Sequence, residues 1–106
     1  MENRTKETGL TQWERYRISN IKNGAVRRNI EFNLTDEYIK NIINCPCTYC
    51  GEIVSGGIDR IDSTKGYVIG NVVPCCKICN MMKNKYSIEF FKNHIKKVYK
   101  MFYNDD

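Results

Sequence analysis

Apolar positions recur at helical spacing in three stretches of the chain. Thr11 followed by Glu14 has the form of a capping box and predicts the start of a first helix. Gly24 is expected either to break this helix or to mark a bend in it. Thr35 is expected to begin a second helix and Ser87 a last one. The apolar positions that carry this rhythm are Leu10, Trp13, Tyr16 and Ile21, then Tyr38, Ile39, Ile42 and Ile43, and finally Phe91, Ile95, Val98 and Phe102.

Between the second and the last helix the pattern changes to short extended runs. The pair Gly56-Gly57 lies between two such runs and predicts the turn of a β-hairpin across residues 49–62. Residues 71–73 are expected to form a returning strand, which Pro74 ends because proline cannot donate to a sheet. A short helix is expected over residues 77–84.

The order of these elements predicts an α+β fold in a single domain of 106 residues. A small core over residues 45–85 is expected to be flanked by a helical N-terminal region at residues 1–44. A C-terminal helix at residues 86–106 completes the predicted arrangement.

The charge of the chain indicates the class of partner. A net charge of +5 favours polyanions such as nucleic acid. No apolar run approaches the roughly 20 residues that cross a bilayer, and no hydrophobic signal core follows the first residues. We therefore expect a cytoplasmic protein with no membrane partner, in a compartment where thiols stay reduced.

Two CxxC pairs, about 25 residues apart, hold most of the six cysteines. Three disulfides are the alternative, but this spacing in a reducing compartment favours a tetrahedral zinc site. Four thiolates leave zinc no open position, so the metal is expected to be structural. The other two cysteines, Cys45 and Cys75, are expected to be small buried hydrophobic residues. The predicted zinc ligands are Cys47, Cys50, Cys76 and Cys79.

Polar residues in a fixed order lie between and beside the two cysteine pairs. They read I-D-R-I-D at 58–62, G-Y at 66–67, N-V-V at 71–73 and C-x-x-C-N-x-x-K at 76–83. This order resembles the HNH, or ββα-metal, endonucleases, in particular compact four-cysteine members found among phage nucleases and restriction enzymes. The resemblance covers about residues 47–85. It implies a zinc-stapled ββα-metal core and a metal-dependent DNA endonuclease that hydrolyses phosphodiester bonds in double-stranded DNA.

The resemblance also implies a catalytic divalent ion, Mg²⁺ or Mn²⁺. Asp59 and Asn80 match the positions of its ligands, and Asn84, one helical turn later, is a candidate third ligand. Taken alone, Asp59 would be a solvated turn acid and Asn80 a helix cap. A single site of this kind cuts one strand, so the protein either nicks DNA or cuts both strands through a second binding event or as a homodimer.

At the position where the family usually has a histidine that activates water, this sequence has Arg60. A guanidinium keeps its proton, so Arg60 is expected to bind the scissile phosphate and stabilise its developing charge instead. Adjacent residues of a regular strand point to opposite faces. Asp59 and Arg60 can therefore share a site only if the strand ends or bends there.

Another group must then accept the proton. Tyr67 is the first candidate for the base, and packing on the loop is the alternative for this residue. His94, the only histidine, is expected to be a surface or packing residue of the last helix. Activation of water by the ion alone, with no protein base, is a third route.

The remaining polar residues have supporting roles in this interpretation. Asn71 is expected to tie the loop together by hydrogen bonds, and Asp62 either orients Arg60 or closes a turn. Candidate phosphate contacts are Lys65, Lys83 and Lys85. The competing hypothesis is a catalytically inactive zinc module that binds nucleic acid or protein on the same scaffold, and Arg60 is the feature that favours it.

Overall fold

The computed structural model describes residues 9–103. Residues 1–8 and 104–106, which belong to the predicted N-terminal and C-terminal segments, lie outside this range. Helices and short strands are combined, which confirms the predicted α+β class. The elements are α1 (Gln12–Arg27), β1 (Phe32–Asn33), α2 (Asp36–Ile43), β2 (Ile58–Arg60), β3 (Tyr67–Val68), β4 (Val72–Pro74), α3 (Lys77–Lys83) and α4 (Ile88–Tyr103).

The first helix begins at the predicted capping box. The Glu14 N–H donates to Thr11 Oγ1 at 3.0 Å, and the Thr11 N–H donates to Glu14 Oε1 at 2.9 Å. The helix does not break at Gly24, so that alternative is wrong. The glycine is buried inside the helix, where the Arg28 side chain folds back to donate to its carbonyl at 3.1 Å. The helix ends at Arg27, two residues before Asn29, whose φ of 55° is left-handed.

The core lies where α1 packs on α2. Ile39 and Ile43 of α2 are fully buried, as is Ala25 of α1. Trp13 and Tyr16 remain exposed, because α1 meets α2 through Ala25 and its neighbours on another face. The helical spacing of apolar residues therefore predicted the helices, but it did not predict which aromatic residues would be buried in the core. The buried cluster consists of Leu10, Ile18, Ala25, Leu34, Ile39, Ile42, Ile43, Ile58, Tyr67 and Val72.

The main strand pair joins β2 to β4 in antiparallel register, with Asp59 opposite Val73. The returning strand at residues 71–73 is thus confirmed, shifted by one residue. The predicted hairpin turn at Gly56-Gly57 is wrong. The Gly56 N–H donates to the Ile43 carbonyl at 2.9 Å, so this segment runs along the end of α2 instead of turning between paired strands.

A second, parallel pair of strands was not predicted. β1 pairs with β3, and the register places Phe32 beside Tyr67. The backbones meet closely at Gly66, where an added Cβ would lie 2.6 Å from the carbonyl oxygen of Glu31. Only glycine fits this approach, and it sets the position of Tyr67, whose N–H donates to that same carbonyl at 2.8 Å.

The last two helices differ in how they are held. Cys76 caps α3, so the second cysteine pair lies in the first turn of this helix. Ser87 caps α4 as predicted, since its Oγ accepts from the Phe90 N–H at 3.0 Å. No described side chain of α4 is buried, and Phe91 meets the Tyr49 ring edge-on at 5.6 Å. None of the described helices has the length and apolar content needed to cross a membrane.

Candidate active site

The four predicted zinc ligands come together at one point. Their Sγ atoms all lie within 4.8 Å of one another, and Cys50 and Cys76 are 3.7 Å apart. Tetrahedral zinc with bonds of about 2.3 Å needs sulfurs about 3.8 Å apart, so the four thiols fit this ion. Burial raises the pKa of Cys47, but backbone N–H groups, first that of Cys76, outweigh it and lower the pKa to about 6. A thiolate ligand is therefore favoured at neutral pH.

The two remaining cysteines have different environments. Cys75 is fully buried beside the cluster, as expected, and burial raises the pKa of its thiol. Cys45 is exposed, so the expectation that it would be buried is wrong. It follows the C-cap of α2, where its Sγ donates to the Asn41 carbonyl at 3.2 Å. Neither is part of the four-thiol cluster.

Asp59 lies in β2 and is buried, with 5% of its surface exposed. Its Oδ2 accepts a hydrogen bond of 2.7 Å from the Tyr49 hydroxyl and forms an ion pair of 3.0 Å with Lys83 Nζ. Burial, followed by the hydrogen bond to Asp59 and the negative charge of Asp59, raises the pKa of Tyr49 well above its ordinary value. Tyr49 is thus a permanent donor to Asp59. Because it stands between Cys47 and Cys50, it also connects the zinc knuckle to this carboxylate.

Lys83 does not reach the surface. Its side chain is fully buried in the last turn of α3, and its ammonium also donates to the Arg60 carbonyl at 3.4 Å. The prediction of a phosphate contact by Lys83 is therefore wrong in this structure. A buried ammonium needs a paired charge, and Asp59 supplies it.

Asn80 faces the same place from α3. Its Nδ2 donates to the Ile58 carbonyl at 3.2 Å, so its Oδ1 is not used in this bond, and the residue lines the cleft. Asn84 caps the C-terminus of α3 with a φ of 53° and also lines the cleft. The two predicted metal-binding asparagines therefore border the same space as Asp59.

Arg60 is the last residue of β2, so the strand ends where the sequence required it to end or bend. Its Nη1 donates to the carbonyls of Ser63 at 2.8 Å and Lys65 at 2.7 Å. The guanidinium lies 5.4 Å from the centre of the Tyr67 ring. Arg60 thus holds the loop after β2 while its side chain borders the cleft.

Tyr67 is buried at the start of β3, and its hydroxyl accepts a 3.0 Å hydrogen bond from Arg28 Nη2. Its ring packs on Phe32 at 5.7 Å, and the residue also lines the cleft. Tyr67 therefore packs on its neighbours, as the alternative predicted, and also borders the cleft. His94, in contrast, lies on α4 with its ring near Phe90, outside the residues that line the cleft.

Asn71 holds the loop between β2 and β3. Its Oδ1 accepts from the Asp62 N–H at 3.0 Å, and its Nδ2 donates to the carbonyls of Asp62 and Gly66 at 3.1 and 2.9 Å. Asp62 closes a turn instead of orienting Arg60. Its Oδ1 accepts from the Thr64 hydroxyl and N–H, and these bonds lower the pKa of Asp62.

The cleft that these residues share has a volume of about 350 Å³ and is strongly basic. Lys85 lines it as expected, whereas Lys65 contributes its carbonyl to Arg60 and is not among the lining residues. Sequence reasoning missed Arg17 and Arg28, which reach the cleft from α1. They are about three helical turns apart and so share one helix face, a spacing that could have identified them. The basic lining residues are Arg17, Arg28, Arg60, Lys77 and Lys85.

Comparison with known proteins supports the predicted fold. The structure is similar to that of the rare-cutting HNH restriction endonuclease PacI, with a TM-score of 0.66, 18% sequence identity, and coverage of 97% of this chain and 87% of that chain. No protein-family model matches the chain.

Two viral proteins are similar in sequence. An uncharacterized protein of Acanthamoeba polyphaga mimivirus is 36% identical over 73 residues, which cover 66% of this chain and 14% of the relative. An uncharacterized 29.0 kDa protein from the dda-modA intergenic region of Enterobacteria phage T4 is 35% identical over 81 residues, which cover 69% and 33%. The chain thus spans a third or less of these relatives. With its four-cysteine metal site, it has the fold of an HNH endonuclease.

Proposed function

We propose that the chain is a metal-dependent endonuclease that hydrolyses phosphodiester bonds in double-stranded DNA. The observation that carries this proposal is the meeting of Asp59, Arg60 and Asn80 in one basic cleft on the fold of an HNH endonuclease. An acid, an amide and a guanidinium in one cleft suit a phosphodiester substrate. The acid and amide can hold a cation, and the guanidinium can bind a phosphate.

The donor set fits a hard divalent cation. Both described contacts of the Asp59 carboxylate use Oδ2, and the Asn80 side chain donates through Nδ2, so Oδ1 of each residue is left as a candidate ligand atom. Mg²⁺ takes oxygen ligands, keeps several waters and often uses only one or two protein groups. We propose Asp59 and Asn80 as the ligands, with Asn84 as a third. When bound, the ion supplies Lewis-acid chemistry at the phosphate.

The chain's own residues supply the remaining roles. Arg60 lies at the mouth of the cleft with its guanidinium over the Tyr67 ring, and we propose that it binds the scissile phosphate. Arg17 and Arg28 extend the positive surface along α1, where they would neutralise neighbouring phosphates. We propose that Tyr67 accepts the proton in its phenolate form, since a neutral phenol already holds its proton. The Arg28 guanidinium, which donates to the Tyr67 hydroxyl oxygen, would stabilise this anion.

One cleft acts on one strand, so the proposed product is a nick, and a double-strand break requires a second binding event or a homodimer. The exposed apolar side chains of α4 offer a surface for such a homodimer. Relatives in a mimivirus and a phage support an activity in the cytoplasm of an infected cell.

Plasmid cleavage tests the proposal. Zinc-loaded protein with Mg²⁺ or Mn²⁺ is expected to convert supercoiled plasmid to the nicked form, whereas Asp59→Ala and Asn80→Ala leave it unchanged. Asp36→Ala and Asn93→Ala remove similar groups from exposed positions and are the matched controls. Nicking that survives both cleft substitutions would refute the proposal.

The variant Tyr67→Phe tests whether Tyr67 is the catalytic base, and Tyr86→Phe is its control. The Tyr86 ring packs against that of Phe90 in a tilted arrangement and lies outside the cleft lining, so loss of its hydroxyl should not affect cleavage. A large loss of activity in Tyr67→Phe with unchanged DNA binding is expected. Full activity of this variant would exclude Tyr67 as the base and leave activation by the ion alone.

A second candidate function is a DNA-binding module without catalysis. The observation that favours it is the ion pair between Lys83 and Asp59, because the predicted metal ligand is already neutralised. This module would shift DNA in a gel without nicking it at any Mg²⁺ or Mn²⁺ concentration.

A further inference from the structure

We propose that Lys83 makes cation binding in the cleft depend on DNA, so that the divalent ion and the nucleic acid bind cooperatively. This inference rests on the proposed function, because it concerns the same cleft. In this role Lys83 sets the affinity of the cleft for the divalent ion and does not contact the substrate.

The charge of the cleft opposes a free cation. Five basic side chains line it, and among the described lining residues Asp59 is the one acid. Opposite charge attracts and like charge repels most strongly where water is scarce. A divalent ion that enters alone therefore meets a surplus of positive charge.

Lys83 adds to this surplus at the ligand itself. Its ammonium is 3.0 Å from Asp59 Oδ2, and 1% of its side chain is exposed. The ammonium is enclosed by protein and also donates to the Arg60 carbonyl at the end of β2. An ion bound to the same carboxylate meets both a neutralised ligand and the repulsion of a fixed positive charge.

A DNA phosphate removes this obstacle. It brings negative charge and hard oxygen atoms to the cleft, where Arg60, Arg17 and Arg28 attract it. With this negative charge present, Asp59 would hold the ion despite the nearby Lys83 ammonium. Linkage requires that the ion strengthens DNA binding by the same factor by which DNA strengthens ion binding.

The variant Lys83→Met removes the positive charge of Lys83 but retains a side chain that can pack in the same buried position. Methionine keeps an unbranched apolar side chain in the buried position, while the Tyr49 hydroxyl still donates to Asp59. Without the ammonium, the carboxylate carries its full charge into the cleft. The variant is expected to bind the cation at least tenfold more tightly than wild type when DNA is absent, with a smaller further gain when DNA is added.

The experiment titrates zinc-loaded full-length chain with Mn²⁺ and follows free Mn²⁺ by electron paramagnetic resonance. Each titration is run without DNA and with a phosphorothioate duplex that resists cleavage, and ions bound by the duplex alone are subtracted. Wild type is expected to gain at least tenfold in Mn²⁺ affinity with the duplex. Asp59→Asn should show no cleft binding in either condition.

Lys22→Met is the matched control. Lys22 forms an ion pair with Asp36 on the outside of α1, and both side chains are more than 40% exposed. Its loss removes the same charge far from the cleft, so the DNA dependence of Mn²⁺ binding should remain that of wild type. If Lys22→Met behaves like Lys83→Met, net charge explains the effect and the inference is overturned.

A second measurement uses wild type alone and does not depend on the folding of any variant. The affinity for a fluorescein-labelled duplex, read by anisotropy, should rise with Mn²⁺ by the same factor as the ion affinity rises with DNA. Wild-type protein that nicks plasmid but binds Mn²⁺ equally with and without DNA would overturn the inference and leave the nuclease intact. Absence of both nicking and Mn²⁺ binding in the presence of DNA would instead refute the proposed function.

Discussion

Replacement of Asn71 by alanine should destabilise the protein and loosen Arg60 at the same time. The Asn71 side chain is buried and makes three hydrogen bonds to the backbone of the loop between β2 and β3. Two of them end on Asp62 and one on Gly66. The same loop carries the carbonyls of Ser63 and Lys65 that anchor the Arg60 guanidinium.

The expected cost follows from these three bonds. Each contributes about 1 kcal/mol net, and alanine leaves one N–H and two carbonyl groups without their partner. The sum is about 3 kcal/mol of unfolding free energy. Asn71→Asp retains the oxygen that accepts from the Asp62 N–H, but its second oxygen faces two carbonyls, so it should be at least as destabilising.

Urea unfolding of zinc-loaded protein, followed by far-UV circular dichroism, measures this loss. Asn93→Ala, on the exposed side of α4, is the matched control and should change the unfolding free energy by less than about 0.5 kcal/mol. Plasmid nicking should fall in Asn71→Ala even where urea curves show the variant to be folded. A loss below about 1 kcal/mol together with full nicking activity would refute the reasoning, because neither the fold nor Arg60 would then depend on these bonds.

Three further predictions concern stability. A zinc chelator should abolish cooperative unfolding, since zinc–thiolate sites contribute roughly 10–16 kcal/mol of apparent binding free energy, and added Zn²⁺ should restore it; a melting temperature unaffected by chelation would contradict the zinc site. Lys83→Ala should cost about 3–5 kcal/mol in urea, because it leaves the buried Asp59 carboxylate unpaired, and a cost below about 1 kcal/mol would contradict the buried ion pair. Burial raises the pKa of Glu14, but hydrogen bonds, first that from the Thr11 backbone, outweigh it and hold the pKa below its ordinary 4.5. The stability that this lowered pKa contributes is therefore fully present above pH 4.5 and is lost as the pH falls through the folded-state pKa. Glu14→Gln should weaken the dependence of the unfolding free energy on pH in this acidic range. An unchanged dependence would contradict the contribution of Glu14.

The local signals in the sequence predicted the elements that depend on local chemistry. Thr11, Thr35 and Ser87 begin helices because a side-chain oxygen can satisfy a free N–H group wherever the rest of the chain lies. The two CxxC pairs likewise predicted the thiol cluster, since a metal site restricts which residues can meet. Such features require no knowledge of the tertiary structure.

The errors arose where tertiary contacts decide. The parallel pairing of β1 with β3 depends on a close approach at Gly66 between segments distant in sequence, and two-residue strands carry no periodicity of their own. Lys83 reads as a surface lysine because its partner, Asp59, lies on another element. The spacing of Arg17 and Arg28 indicates that they share one helix face, but the fact that this face borders the cleft depends on how α1 packs.

The proposed reaction depends on Asp59, so the most direct test is the single-turnover nicking rate of supercoiled plasmid by zinc-loaded wild type and Asp59→Asn in Mn²⁺. This substitution keeps the size of the side chain and removes the negative charge that we propose holds the ion. Even the residues that support metal ligands cost roughly 10–100-fold when they are changed, so loss of the ligand itself should lower the rate by more than about 100-fold. Asp36→Asn, on the exposed side of α2, should nick at the wild-type rate. Equal rates for wild type and Asp59→Asn, or no nicking by wild type, would contradict the account.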